Sequence, residues 1–149
     1  MILHRITTKA YANDLSGTGA MLYGGRWNRR GIRMLYTSES LSLAALEIIA
    51  NINSSQLGVN WYCIEIDFSE DLEVTFEEKL PEGWNAFPYT SGSVAFGSDY
   101  FKIGALCLKV PSAIIPSEYN YLLNPLHKDF HKIKVVDVRP LILDQRLKK

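Results

Sequence analysis

Between Tyr23 and Asn28 the chain sets two glycines, a guanidinium and an indole in direct succession, as Tyr23-Gly24-Gly25-Arg26-Trp27-Asn28. Those residue types suit a loop that holds an anion. Glycine lets backbone approach a ligand closely, Arg26 can make paired hydrogen bonds to phosphate oxygens, and Trp27 offers an aromatic face. The loop is no dinucleotide fingerprint, because Gly17, Gly19, Gly24 and Gly25 lack the required spacing between a strand and a helix. The second chemical candidate is Glu47. It falls on the polar seam of an otherwise apolar helix, where a carboxylate is costly to ionise unless a cation or hydrogen-bond donors reach it. From the pattern alone Glu47 reads equally as a salt-bridged structural glutamate.

The elements that must position these groups follow from periodicity. Apolar residues recur at Leu41, Ala44, Ala45, Ile48, Ile49 and Ile52, which predicts a helix over Glu39 to Ile52 with Ser38 as its N-cap and Glu39 in its first turn. Leu43 and Leu46 widen the apolar surface, so the helix is expected to be largely buried, with Ser40, Glu47 and Asn51 on a narrow polar strip. Trp61 to Phe68 alternates and predicts a half-buried strand, with Tyr62, Ile64, Ile66 and Phe68 on one side. Shorter strands are expected at Ile2 to Ile6, Met34 to Thr37, Ala105 to Val110 and Lys134 to Val138. Asn13 to Gly25 is expected to be a long ligand-facing loop. The stretch punctuated by Pro81, Gly83, Pro88, Gly92 and Gly97 predicts no regular element. Many strands and one strong helix argue for an α+β domain with a mixed, mainly antiparallel sheet.

With 149 residues, the chain has the length of a single domain, 1–149. Its 16 basic and 16 acidic residues balance, which removes the general attraction that non-specific nucleic-acid binders depend on, so no direct nucleic-acid binding is expected. The charges are nonetheless segregated. Eight carboxylates lie between Glu65 and Glu82 against Lys79 alone, whereas Arg26, Arg29, Arg30 and Arg33 cluster and the tail from Lys128 is basic. A solvated acidic face is the plainer reading of that belt. Cys63 and Cys107 each sit in an apolar run and read as reduced core thiols. No leader or membrane-length apolar run is seen, so a cytoplasmic protein without membrane association is expected. His127 and His131 are four apart and could face one way on a helix to bind zinc, but His4 or a distant carboxylate would have to complete the set, and no metal is expected.

Further blocks follow the Gly-Gly-Arg-Trp-Asn stretch: Leu35-Tyr36-Thr37-Ser38, Ala44-Ala45-Leu46-Glu47, Pro111-Ser112-Ala113, Pro116-Ser117-Glu118-Tyr119-Asn120 and Asn120-Tyr121-Leu122-Leu123-Asn124-Pro125. In this order they resemble the RES family, named for its arginine, glutamate and serine, whose members are toxins of bacterial toxin–antitoxin pairs. The resemblance runs from Arg5 to Arg146; Ser69 to Tyr100 carries nothing diagnostic. It implies a fold like that of ADP-ribosyltransferase toxins and an activity that destroys NAD, which is consumed as substrate and is not a cofactor. It also implies a cognate antitoxin with a helix-turn-helix DNA-binding domain.

Under that resemblance Glu47 would hold a ribose hydroxyl and stabilise charge growing on the ribosyl carbon. The leaving pyridinium departs neutral, so a single carboxylate suffices where ordinary glycosidases need two. Arg26 would clamp phosphate, with Arg5 as a second contact, and Tyr36 would stack on nicotinamide. Ser117 matches the family's downstream serine and would orient Glu47 or a ribose hydroxyl, although by itself it reads as a turn residue. Asn120 is a candidate ligand contact, while it and Asn124 also read as loop braces. Arg29, Arg30 and Arg33 read as surface arginines. Transfer of ADP-ribose to water or phosphate leads this reading, with transfer to a protein as its alternative. Two other classes stay open: an RNA-cleaving toxin using the arginine cluster with tyrosine and histidine as acid–base groups, and a non-enzymatic module in which Arg26 and Trp27 recognise a phosphorylated ligand.

Overall fold

The computed structural model describes residues 1–148. Seven strands and three α-helices follow one another as β1 (Ile2–Thr8), α1 (Thr18–Tyr23), β2 (Leu35–Ser38), α2 (Leu41–Asn51), β3 (Trp61–Asp67), β4 (Thr75–Phe76), α3 (Ser91–Lys102), β5 (Cys107–Pro111), β6 (Tyr119–Leu123) and β7 (Lys134–Leu141) among the described residues. The strands form one sheet in the order β4-β5-β6-β2-β1-β3-β7. Only β4 and β5 run parallel among the described residues; every other neighbouring pair is antiparallel. This is the expected mixed, mainly antiparallel α+β architecture.

The sheet is continuous except at its middle. β1 pairs with β3 along its whole length, from Ile2↔Asp67 to Thr8↔Trp61, yet it meets β2 through His4↔Ser38 alone among the described residues. Below the sheet one core cluster crosses this seam, joining Leu3, Ile64 and Ile66 to Leu35, Cys107, Tyr121 and Leu123. Above it, α2 seals the β1–β3 side by packing Ala44, Ala45, Ile48 and Ile49 against Ile6, Leu57 and Trp61. β3 is therefore buried on both faces, with Cys63, Ile64 and Ile66 all fully enclosed, where alternation predicted a half-buried strand.

Several local expectations shift. The N-cap of α2 is Ser40, whose hydroxyl accepts from Leu43 N at 3.1 Å; Ser38 belongs to β2, and the Glu39 carboxylate lies ahead of the helix, accepting from Tyr119 N at 3.1 Å. α2 is half-buried, since only Leu43 and Ala44 are fully enclosed and Leu46 is exposed. The supposed loop from Asn13 to Gly25 contains α1, and the supposed irregular middle contains the 12-residue α3. α3 buries Ser93, Gly97, Ser98 and Phe101, so small residues supply its packing face. At the far edge, β7 slips register between Glu65 and Ile66, which leaves Val136 opposite no residue of β3. No helix among the described residues is long and apolar enough to cross a membrane.

Candidate active site

Continuing the His4↔Ser38 register would place Arg5 opposite Thr37 and Ile6 opposite Tyr36. All four instead line a cavity of about 530 Å³ that opens where β1 and β2 separate. That volume lies within the roughly 300–1,000 Å³ common for small-molecule sites. Glu47 of α2, Arg26 of the Gly-Gly loop and Asn120 of β6 also line it, so the structure brings Arg5, Arg26, Tyr36, Glu47 and Asn120 to one place.

Glu47 is held from one side. Its Oε1 accepts from Ser112 Oγ at 2.7 Å and from Asn120 Nδ2 at 2.7 Å. Ser112 is fully buried, and its oxygen accepts from Ile114 N at 3.0 Å and Ile115 N at 3.1 Å. Both lone pairs are thereby used, and the hydroxyl proton is committed to Glu47. Asn120 is fixed in turn by Ser38, whose Oγ donates to Asn120 Oδ1 at 2.7 Å. Oε2 of Glu47 has no protein partner among the described residues, which leaves half of the carboxylate for a ligand.

The Gly-Gly-Arg-Trp-Asn loop is braced from within. Asn28, 1% exposed, donates through Nδ2 to Ala20 O at 2.8 Å and Ile32 O at 3.0 Å, and its Oδ1 accepts from Tyr36 Oη at 2.7 Å. Tyr36 Oη also accepts from Trp27 N at 3.2 Å, and a methyl at Gly25 would meet it at 2.7 Å, so glycine is required by close approach. Burial raises the Tyr36 phenol well above its ordinary value, which keeps it neutral and bonded to the loop. Arg26 Nη1 donates to Trp84 O at 2.9 Å and Ala86 O at 2.8 Å, with its guanidinium carbon 6.0 Å from the Tyr89 ring centroid. Its remaining N–H groups are not used by these contacts, and Arg26 lines the cavity. Arg5 Nη1 donates to Tyr11 O at 3.2 Å; burial lowers its guanidinium from the ordinary value while Asp14 opposes that effect, and it stays charged at neutral pH.

Two readings of side chains, those of Ser117 and Trp27, need correction. Ser117 lies exposed on the turn and does not line the cavity; the serine that bonds Glu47 is Ser112, five residues earlier. The Trp27 indole is 3% exposed and packs against Trp84 at 6.2 Å and Phe96 at 5.9 Å, so although Trp27 borders the cavity its ring chiefly anchors the loop in the core. Asn120 sits at the cavity as expected, and its amide also orients Glu47, with one N–H given to Glu47 and one oxygen lone pair taken by Ser38. The arginines read as surface residues stay away from the cavity: Arg29 pairs with Asp99 at 3.6 Å with both side chains well exposed, and Arg33 Nη1 donates to Ser16 O and Thr18 Oγ1. Asn124 is buried and braces its loop, donating to Ala105 O at 2.9 Å and accepting from Leu126 N at 3.1 Å. His127 and His131 each engage nearby backbone through Nδ1. Asn85, Phe87 and Tyr89, which also line the cavity, come from the stretch for which the sequence offered no element.

Relatives of known name cover the chain almost end to end. The Prs ADP-ribosylating toxin of Sphingobium sp. (strain YBL2) is 40% identical, over 96% of this chain and 94% of its own. Proteins named Toxin Res from Photorhabdus laumondii and Yersinia enterocolitica are 39% and 34% identical, covering at least 98% of both partners. A chain from the crystal structure of the M. tuberculosis MbcT–MbcA toxin–antitoxin complex shares the fold, with a TM-score of 0.79 at 20% identity over 94% of this chain and 83% of that one. The RES domain model matches residues 2–144, and with full-length relatives well above 30% identity the chain belongs to the RES domain family.

Proposed function

We propose that this protein is the toxin of a bacterial toxin–antitoxin pair and that it cleaves the nicotinamide–ribose bond of NAD. The observation that carries the reading is the convergence of Glu47, clamped through one oxygen only, with Arg26 and Arg5 on a single cavity at the sheet seam. The two guanidiniums bind the pyrophosphate, which fixes the dinucleotide along the opening. Oε2 of Glu47 accepts a hydrogen bond from a ribose hydroxyl. The bond between the ribosyl carbon and nitrogen breaks with its electron pair moving to the pyridinium, so nicotinamide leaves neutral and positive charge develops on the sugar. Glu47, already oriented by Ser112 and Asn120, stabilises that charge where it grows. Water then attacks the ribosyl carbon and loses one proton, giving ADP-ribose; phosphate in its place gives the 1″-phosphorylated product.

Purified protein is expected to release nicotinamide from NAD, measured by chromatography, and Glu47→Gln or Arg26→Ala to lower the rate by at least ~100-fold. An NAD pool left intact by wild-type protein would overturn the assignment. Transfer to a protein is the second reading, favoured by the name of the Sphingobium relative. Label passing from NAD to a polypeptide in a cell extract, with little free ADP-ribose, would select it. Growth arrest on expression, relieved by the product of the adjacent gene, tests the pairing with an antitoxin, for which a helix-turn-helix protein is the expected type.

A further inference from the structure

We propose that His4, Cys63 and Glu65 form a zinc site on the sheet beside the cavity. The β1–β3 register sets His4 directly opposite Glu65 and Ile6 opposite Cys63, and residues two apart on a strand share a face, so all three side chains project the same way. One ligating atom from each lies within 4.8 Å of the other two. Tetrahedral zinc with bonds of about 2.0–2.3 Å separates its ligands by roughly 3.3–3.8 Å, so side-chain adjustment of about 1 Å closes the set.

The donor chemistry selects the ion. Imidazole, thiolate and carboxylate together suit zinc and exclude the hard cations, which take oxygen ligands. A second observation points to the same place: His4 Nδ1 is buried and has no hydrogen-bond partner, the only such side-chain atom among the described residues. Cys63 has no exposed surface, but His4 lines the cavity, which gives the ion a path in. Arg139 opposes a cation there, although its Nη1 engages only Oε1 of Glu65 at 2.8 Å and its charge is shared with Asp137. Binding exchanges the thiol proton for the metal: the S–H bond is lost, an S–Zn bond forms, and one proton goes to solvent. Three protein ligands leave the fourth position to water. The inference is independent of the NAD reading, because none of the three residues bonds Glu47 or Arg26.

Cobalt(II) titrated into the purified full chain is the test, read by the thiolate-to-cobalt charge-transfer band in the near ultraviolet. One equivalent is expected to develop the band, and zinc to abolish it by displacement. Cys63→Ala should lose the band, and His4→Gln or Glu65→Gln should weaken binding by more than ~100-fold, beyond what losing a group that merely orients a ligand costs. Cys107→Ala and the double change His127→Ala with His131→Ala should keep it. His4→Gln carries the test if Cys63→Ala does not fold. The proposal fails if no band appears at millimolar cobalt, if Cys63→Ala retains it, or if the distant histidine pair removes it.

Discussion

Replacing Gly97 by alanine tests how the Arg26 loop is held in place. Gly97 lies inside α3, where glycine costs about 1 kcal/mol relative to alanine, so propensity alone says that Gly97→Ala stabilises. Packing says the reverse. A methyl at Gly97 would stand 2.0 Å from Trp27 O and 2.9 Å from Trp27 C, where ordinary contact begins near 3.4 Å. The obstacle is a backbone carbonyl, which cannot turn aside as a side chain can, so loop and helix must part by about 1.4 Å. We place the cost at the upper end of the ~1–3 kcal/mol usual for overpacking. After the propensity gain, about 2 kcal/mol of destabilisation remains, or a fall in Tm of roughly 4–8 °C for a chain of this size. Trp27 follows Arg26 directly, and a displacement of about 1 Å at a positioned group costs on the order of 100-fold in rate. Scanning calorimetry and nicotinamide release measure the two effects. Gly92→Ala is the internal control: its new methyl would find nothing nearer than 3.6 Å, so it should melt at or slightly above wild type. If Gly97→Ala melts no lower than wild type, the close approach of α3 to the loop is not what fixes the loop.

Ser112→Ala should lower the rate of NAD cleavage by ~10–100-fold and cost about 1–2 kcal/mol of stability, because it frees Glu47 and leaves Ile114 N and Ile115 N without their acceptor; Ser117→Ala should change neither. Burial pushes the Cys107 thiol up to about 12, so iodoacetamide at pH 8 should label it only after denaturation, as followed by mass spectrometry. Asp14 accepts from Ser16 N at 2.8 Å, and its hydrogen bonds to Ser16, followed by Arg5 and Arg33, hold its carboxyl below the ordinary value. A depressed folded-state value means stability that is present above the unfolded value near 3.9 and lost as pH falls through the folded one. Urea titrations from pH 6 to pH 2 should therefore show stability declining below about pH 4, with a shallower decline in Asp14→Asn.

What the sequence disclosed and what it hid have physical reasons. α2 and β3 were legible because apolar periodicity and burial coincide there, and Glu47 stood out as the acid on a narrow polar strip. The capping serine was misplaced because Ser38 and Ser40 are equally good acceptors, and only the end of β2 decides between them. The same ambiguity displaced the serine at the site. Pro111-Ser112 and Pro116-Ser117 are the same dipeptide, and which hydroxyl turns inward depends on β5 and β6 pairing across the turn. α3 was hidden for the opposite reason, since its glycines and serines look like a loop, whereas Ser93, Gly97 and Ser98 are the small face that a packed helix needs. Trp27 was read as a ligand face because the rings that pack against it, Trp84 and Phe96, come from far along the chain.

An outermost strand that is long and regular invites a stranger to add another rung, and β7 is positioned to do so. Its unpaired Val136 twists the rim out of register, and Pro140 has no N–H to lend to a newcomer. A straight template is thus denied along most of its length. The same two features that make this strand look defective blunt it as a template for a second copy of the chain.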